Sequence, residues 1–285
     1  MMQIGIGLPN QVRNVRADVI PDWAGRAEEA GFSTLSTVGR YAYPGLADTV
    51  ALAAAAGTTS RIGLMSGVLL ATTWPAPLLA KELAGIDGVS GGRLTLGLGA
   101  GIRPDDFVVE GYGMTGRGAR FDRDLETFHN IWQGDPVGSG PNPAVPSGTR
   151  QIPLLFGGFA PAALDRMARW GEGYIGGSLP APMIAPTFDA ASQAWQAAGR
   201  EGSPRLVALT YYALGEPDTG KRNVYDYYNV AGNDMAGTIA GAVCDSAATV
   251  EAAISSFADI GADELIFNPG TDDPEDVARL AEIAL

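Results

Sequence analysis

PLLFGGFAPAALDRMARWGEGYIGGS, residues 153–178, contains the pattern that sets the architecture. An apolar run, Leu154 to Phe156, ends in Gly157 and Gly158 and passes through Phe159 into an amphipathic segment over 160–170. A second short apolar run, Tyr174 and Ile175, ends the same way in Gly176, Gly177 and Ser178. Period-two or continuous apolar runs read as strands, and the 3.6-residue spacing between them reads as a helix. The unit is therefore strand, helix, strand, which brings the two strands parallel.

The same alternation extends in both directions. Strands are expected over 4–8, 35–38, 62–68 and 94–98, then over 154–156, 174–175, 206–214 and 264–267. Helical patterns lie between them, and Gly31 and the Gly91-Gly92 pair stand at two helix ends. Nearly continuous apolar strands are those buried on both faces. Eight strand–helix repeats predict an α/β fold, a (β/α)8 TIM barrel, in one domain over 1–285. After the seventh strand, residues 216–243 read as an irregular insertion with Tyr225, Tyr227 and Tyr228, whose place in the core or in a lid is open.

Composition narrows the chemistry. The chain has 285 residues, 46% of them hydrophobic, which excludes a disordered polar chain. A net charge of −13 disfavours nucleic acid. No apolar run approaches the ~20 residues of a membrane span, and no signal peptide is evident at the start, so a cytoplasmic location is expected. One cysteine, Cys244, and one histidine, His129, offer little for thiol, triad or multi-histidine metal chemistry. No metal site is expected, and the chemistry points to a cofactor. His129, beside Leu125 on a helix, reads as structural, and Cys244 as inert.

Among the motifs, Gly97-Leu-Gly-Ala-Gly101 lacks the third glycine of a dinucleotide fingerprint, since Ile102 follows. It reads as a tight strand exit. Gly88-Val-Ser-Gly-Gly92 matches a nucleophile elbow in letters only, because it follows a helix and precedes a strand. The two Gly-Gly strand ends are more telling. Free backbone N–H groups at a helix start bind phosphate, and glycine lets the ligand approach. A phosphorylated cofactor is one reading, and two plain glycine turns the other.

Taken together, these pieces resemble the bacterial luciferase-like flavin oxidoreductases. The resemblance rests on IGIGLPN at 4–10, the W-A-x-x-A-E-E-A-G-F run at 23–32 and the stretch 60–87. It continues through GGRLTLGLGAG at 91–101, RFDRDLETFHNIW at 120–132, PLLFGGFAPAAL at 153–164 and ADELIFNPG at 262–270. It implies a barrel, usually a homodimer, that binds FMN or the deazaflavin coenzyme F-420. It implies a non-proline cis peptide in Ser66-Gly67-Val68 that props the ring. It assigns Gly157, Gly158 and Phe159, then Gly176, Gly177 and Ser178, to cofactor contact. Two histidines common in the family are replaced here by Arg40 and Trp74.

The expected activity is hydride transfer between F-420 and a small organic substrate. Arg40 would stabilise developing charge, and Tyr41, Tyr43 or Asp105 would pass a proton. The alternatives are a monooxygenase using reduced FMN and molecular oxygen, served by a separate flavin or deazaflavin reductase, and a non-catalytic flavin-binding barrel.

Overall fold

The computed structural model describes residues 2–285. Eight parallel strands close into a barrel in sequential order: β1 (Gln3–Gly7), β2 (Thr34–Thr37), β3 (Gly63–Leu70), β4 (Leu94–Gly99), β5 (Leu154–Phe156), β6 (Gly173–Ile175), β7 (Arg205–Tyr212) and β8 (Glu264–Pro269). Pairing of β1 with β8 closes the ring. The helices outside are α1 (Val19–Ala30), α2 (Asp48–Thr58), α3 (Ala76–Ser90), α4 (Arg117–Trp132), α5 (Pro161–Trp170) and α6 (Ala181–Ala197). They continue with α7 (Pro217–Tyr228), α8 (Asn233–Gly241), α9 (Ala247–Asp259) and α10 (Glu275–Ala284). Among the described residues no helix is long and apolar enough to cross a membrane.

Local chemistry sets the helix ends. Gly31 and Gly91 take φ of +97° and +71°, the left-handed turn that stops α1 and α3. Ser246 caps α9, with Thr249 returning the bond in a capping box. Two apolar layers result. Met65, Leu155, Ile175, Val207, Leu209 and Ile266 fill the barrel, and a larger core packs between strands and helices. Near the strand starts, Glu264 is fully buried and bonded by Arg205 and Ser33, so its charge is compensated.

The segment 216–243 is not irregular. It forms α7, a short 3-10 turn at Asn229–Ala231, and α8. Gly220, Val224 and Tyr227 fall on one face and are buried, as are Ala236, Ile239 and Ala240. That helical spacing is the cause, and reading the tyrosines as a cluster conceals it.

The glycines of β4 also have a structural reason. A Cβ on Gly97 would stand 2.2 Å from the Ser66 carbonyl oxygen, and one on Gly99 would stand 2.9 Å from Val68 Cγ2. Here the β3–β4 register shifts between Ser66 and Leu69, and the Gly67–Val68 peptide is cis. The run 97–101 thus lets β3 approach β4.

Asp124 supplies a stability test. It sits on the buried face of α4, and its Oδ2 finds no partner among the described residues. Burial pushes its carboxyl up to about 6, against a smaller opposing pull from Arg120 and Arg123. Below pH ~4 the group is protonated in both folded and unfolded chains. Between pH ~4 and ~6 the unfolded chain ionises while the folded chain keeps its proton, so stability falls across that window and levels off above it. Asp124→Asn should therefore raise Tm by roughly 2–5 °C at pH 8, with the gain fading near pH 4. Thermal melts across that range check this, and a gain independent of pH would contradict it.

Candidate active site

The strands' C-terminal ends open into a cavity of about 440 Å³, walled by the ends of β3 to β7 and by α7 and α8. Its floor and sides are apolar, with Val68, Leu70, Phe156, Ile175 and Leu209 among them. Its charged lining residues are Arg103, Arg117 and Arg166, and no carboxylate is among the described lining residues. In a chain of net charge −13, a wall with cations alone selects an anionic ligand.

The two Gly-Gly turns lie on this wall, but their glycines answer different needs. A Cβ on Gly157 would crowd Val68 at 3.1 Å, and one on Gly176 would crowd Ile184 at 3.1 Å. Gly158 has φ of +126°, which side-chain-bearing residues rarely adopt. These three are explained by the fold. Gly177 is not: its φ is ordinary, and its Cβ would meet only the Phe159 ring at 3.5 Å. Its lack of a side chain keeps the cavity open.

The turns also leave donors unspent. Gly157 N–H donates to the Leu98 carbonyl at 3.0 Å, and Gly176 N–H to that of Val207 at 2.8 Å. Among the described residues, the N–H groups of Gly158, Phe159, Gly177 and Ser178 donate to no backbone acceptor. The Tyr174 hydroxyl donates to the Gly158 carbonyl at 3.0 Å and fixes the first turn. Neither α5 nor α6 has a side-chain cap, so their first-turn N–H groups add positive potential. Arg166 stands beside them, aimed by Asp122 and the Gly118 carbonyl. The set fits a phosphate. Ser66 is buried beneath the wall, its hydroxyl donating to the Gly97 carbonyl at 2.9 Å, while Gly67 and Val68 line the cavity.

Tyr227 and Tyr228 of α7 cover one side, and Tyr225 lies away from the cavity. Tyr228 Oη is 3.3 Å from both Ser178 Oγ and Tyr211 Oη, which ties α7 to β6 and β7. Burial raises the Tyr227 phenol well above its ordinary value, with Arg103 and Arg40 opposing, so it stays protonated.

Arg40, Tyr41 and Tyr43 line a second, smaller cavity of about 150 Å³ together with Asp48 and Trp74. None of the three is on the main wall, and neither is Asp105. The Arg40 side chain is 3% exposed. It bonds Asp105, donates to the Tyr227 carbonyl at 3.1 Å, and has Nε 3.5 Å from Asp106 Oδ2. Asp106 is fully buried and accepts the N–H groups of Tyr41 and Ala42. Burial raises the phenols of Tyr41 and Tyr43 and pushes the Asp48 carboxyl up to about 6, against the Asn10 amide that donates to its Oδ1 at 3.4 Å. Sequence reasoning passed over Arg103 and Asp106 as site residues. Their one signal was the Arg103-Pro-Asp-Asp106 loop directly after a barrel strand.

His129 is outside both cavities, with Nδ1 3.1 Å from Gln151 Oε1. Cys244 is buried, and burial pushes its thiol up to about 11.

Comparison with known proteins places this geometry. A family model described as luciferase-like monooxygenase matches residues 2–260. An uncharacterized protein of Mycobacterium tuberculosis is 32% identical over 171 residues, covering 56% of this chain and 60% of that protein. The match thus spans less than two thirds of the relative's length. The crystal structure of monooxygenase RslO1 from Streptomyces bottropensis superposes with a TM-score of 0.78 at 25% identity, covering 99% of this chain and 97% of that one. An F420-dependent secondary alcohol dehydrogenase, in complex with an F420–acetone adduct, also gives 0.78, at 16% identity over 99% and 98% of the two chains. This chain belongs to the luciferase-like monooxygenase family.

Proposed function

We propose that the protein is an oxidoreductase that binds a phosphorylated flavin-type cofactor, F-420 or FMN, in the main cavity and acts on a small organic substrate. The observation that carries this reading is the group of unspent N–H donors around Gly177. Gly158, Phe159, Gly177 and Ser178 would hold the phosphate, with Arg166 adding charge. Val68, Phe156 and Ile175 give the ring an apolar bed. Once bound, the cofactor supplies hydride transfer. The chain excludes water from that bed, places the substrate, and offers the protonated Tyr227 phenol as a donor.

Hydride exchange with F-420 is the first reading. Oxygenation with reduced FMN, fed by a separate reductase, is the second, favoured by the monooxygenase structure at 25% identity. A homodimer is part of both. Exposed Val50 on α2, with Leu78 and Val89 on α3, supports a covered apolar face.

Arg40 is assigned a positioning role. It bolts together the turn after β2, the turn after β4 and the end of α7. The active-site wall, with Arg103 and Tyr227, depends on those three segments.

Two outcomes follow. FMN or F-420 should bind with micromolar affinity by calorimetry, and Gly177→Val should weaken it at least tenfold while Tm stays within a few degrees. Unchanged affinity in the folded variant would move the phosphate elsewhere. Arg40→Ala should cost about 3 kcal/mol in urea unfolding, the scale of a broken buried ion pair. An unchanged midpoint would remove the bolt.

A further inference from the structure

Arg103 is the cavity's uncommitted cation. Arg117 is engaged by the Gly101 and Met114 carbonyls, and Arg166 by Asp122 and Gly118. Arg103 has neither an ion pair nor a side-chain hydrogen bond among the described residues, and its Nε is buried without a partner. Two aromatic rings hold it instead. Its guanidinium carbon lies 5.1 Å from the Tyr227 ring centre and 5.3 Å from that of Tyr228. Aromatic contact orients a guanidinium without using its N–H groups. The result is a pre-set fork of donors facing an apolar chamber, and such a fork matches the two oxygens of a carboxylate.

Arg103 is half-buried, and with no protein acceptor for its donors, an anionic ligand group would satisfy them. Neighbouring wall residues state the rest of that ligand's chemistry. Ile102, Leu179, Met235 and Ile239 line the same cavity, and Ile102 is 71% exposed at its edge. They favour an apolar body.

We infer that Arg103, clamped by Tyr227 and Tyr228, forms the substrate subsite, and that the substrate is an apolar molecule with one oxyanion, a carboxylate or an acidic phenolate. This rests on the proposed cofactor site only in assigning the cofactor's phosphate to the glycine turns. Arg103 then belongs to the substrate.

Benzoate is the probe, and benzamide, of the same shape without the charge, is the control. Each is titrated calorimetrically into the protein alone and into the protein saturated with whichever of FMN or F-420 binds. The subsite predicts that benzoate binds at least tenfold tighter than benzamide in both. Arg103→Met should lose that preference, Arg103→Lys should recover part of it, and cofactor affinity should stay within twofold throughout. Equal binding of the two probes to the unaltered protein overturns the inference, whatever the variants do. So does a variant that loses cofactor affinity while keeping benzoate, because Arg103 would then serve the cofactor. If neither cofactor binds but the benzoate preference stands, the functional reading fails and the subsite survives.

Discussion

A peptide N–H must bond to something, and where a fold does not provide an acceptor, water does. At the ends of β5 and β6, four such groups belong to residues that line one cavity. An anion with several oxygens can replace several waters there at once, and the ordering cost was already met when the barrel closed. The fold does this by spending glycine. Gly157 and Gly176 let the strand ends pass close to Val68 and Ile184, Gly158 reverses the chain, and Gly177 leaves the approach clear. A barrel supplies the same geometry at each strand end. What distinguishes these two is the Gly-Gly pair between each strand end and the helix that follows.

Charge placement follows the same division. The surplus of acidic groups lies away from the cavity, whose charged lining is arginine alone. The three arginines differ in commitment. Arg117 and Arg166 are fixed by carbonyls and a carboxylate, which makes them wall. Arg103 is fixed only by tyrosine faces, which leaves its donors for a ligand. Arg40 is placed under Tyr227 and holds the segments that present both Tyr227 and Arg103.

The barrel was legible because each strand–helix unit is local: apolar run, glycine exit, amphipathic helix. The Gly-Gly turns were legible for the same reason, since strand end and helix start adjoin in sequence. The insertion was not, because three tyrosines drew the reading away from the buried spacing of Gly220, Val224 and Tyr227. The surroundings of Arg40 were not legible either. Its partners Asp105 and Tyr227 lie 65 and 187 residues away, and only barrel closure brings them together. Nothing local separates an arginine facing the cavity from one bolted behind it, so Arg103 and Arg40 look alike in the sequence.

The central claim is that unspent amides at the ends of β5 and β6 grip the cofactor's phosphate. Hydrogen–deuterium exchange of the free and cofactor-saturated protein tests it directly. The account predicts slowed exchange at residues 158–159 and 177–178, above any change elsewhere around the mouth. Protection confined to other strand ends, with these amides exchanging as in the free protein, would contradict it.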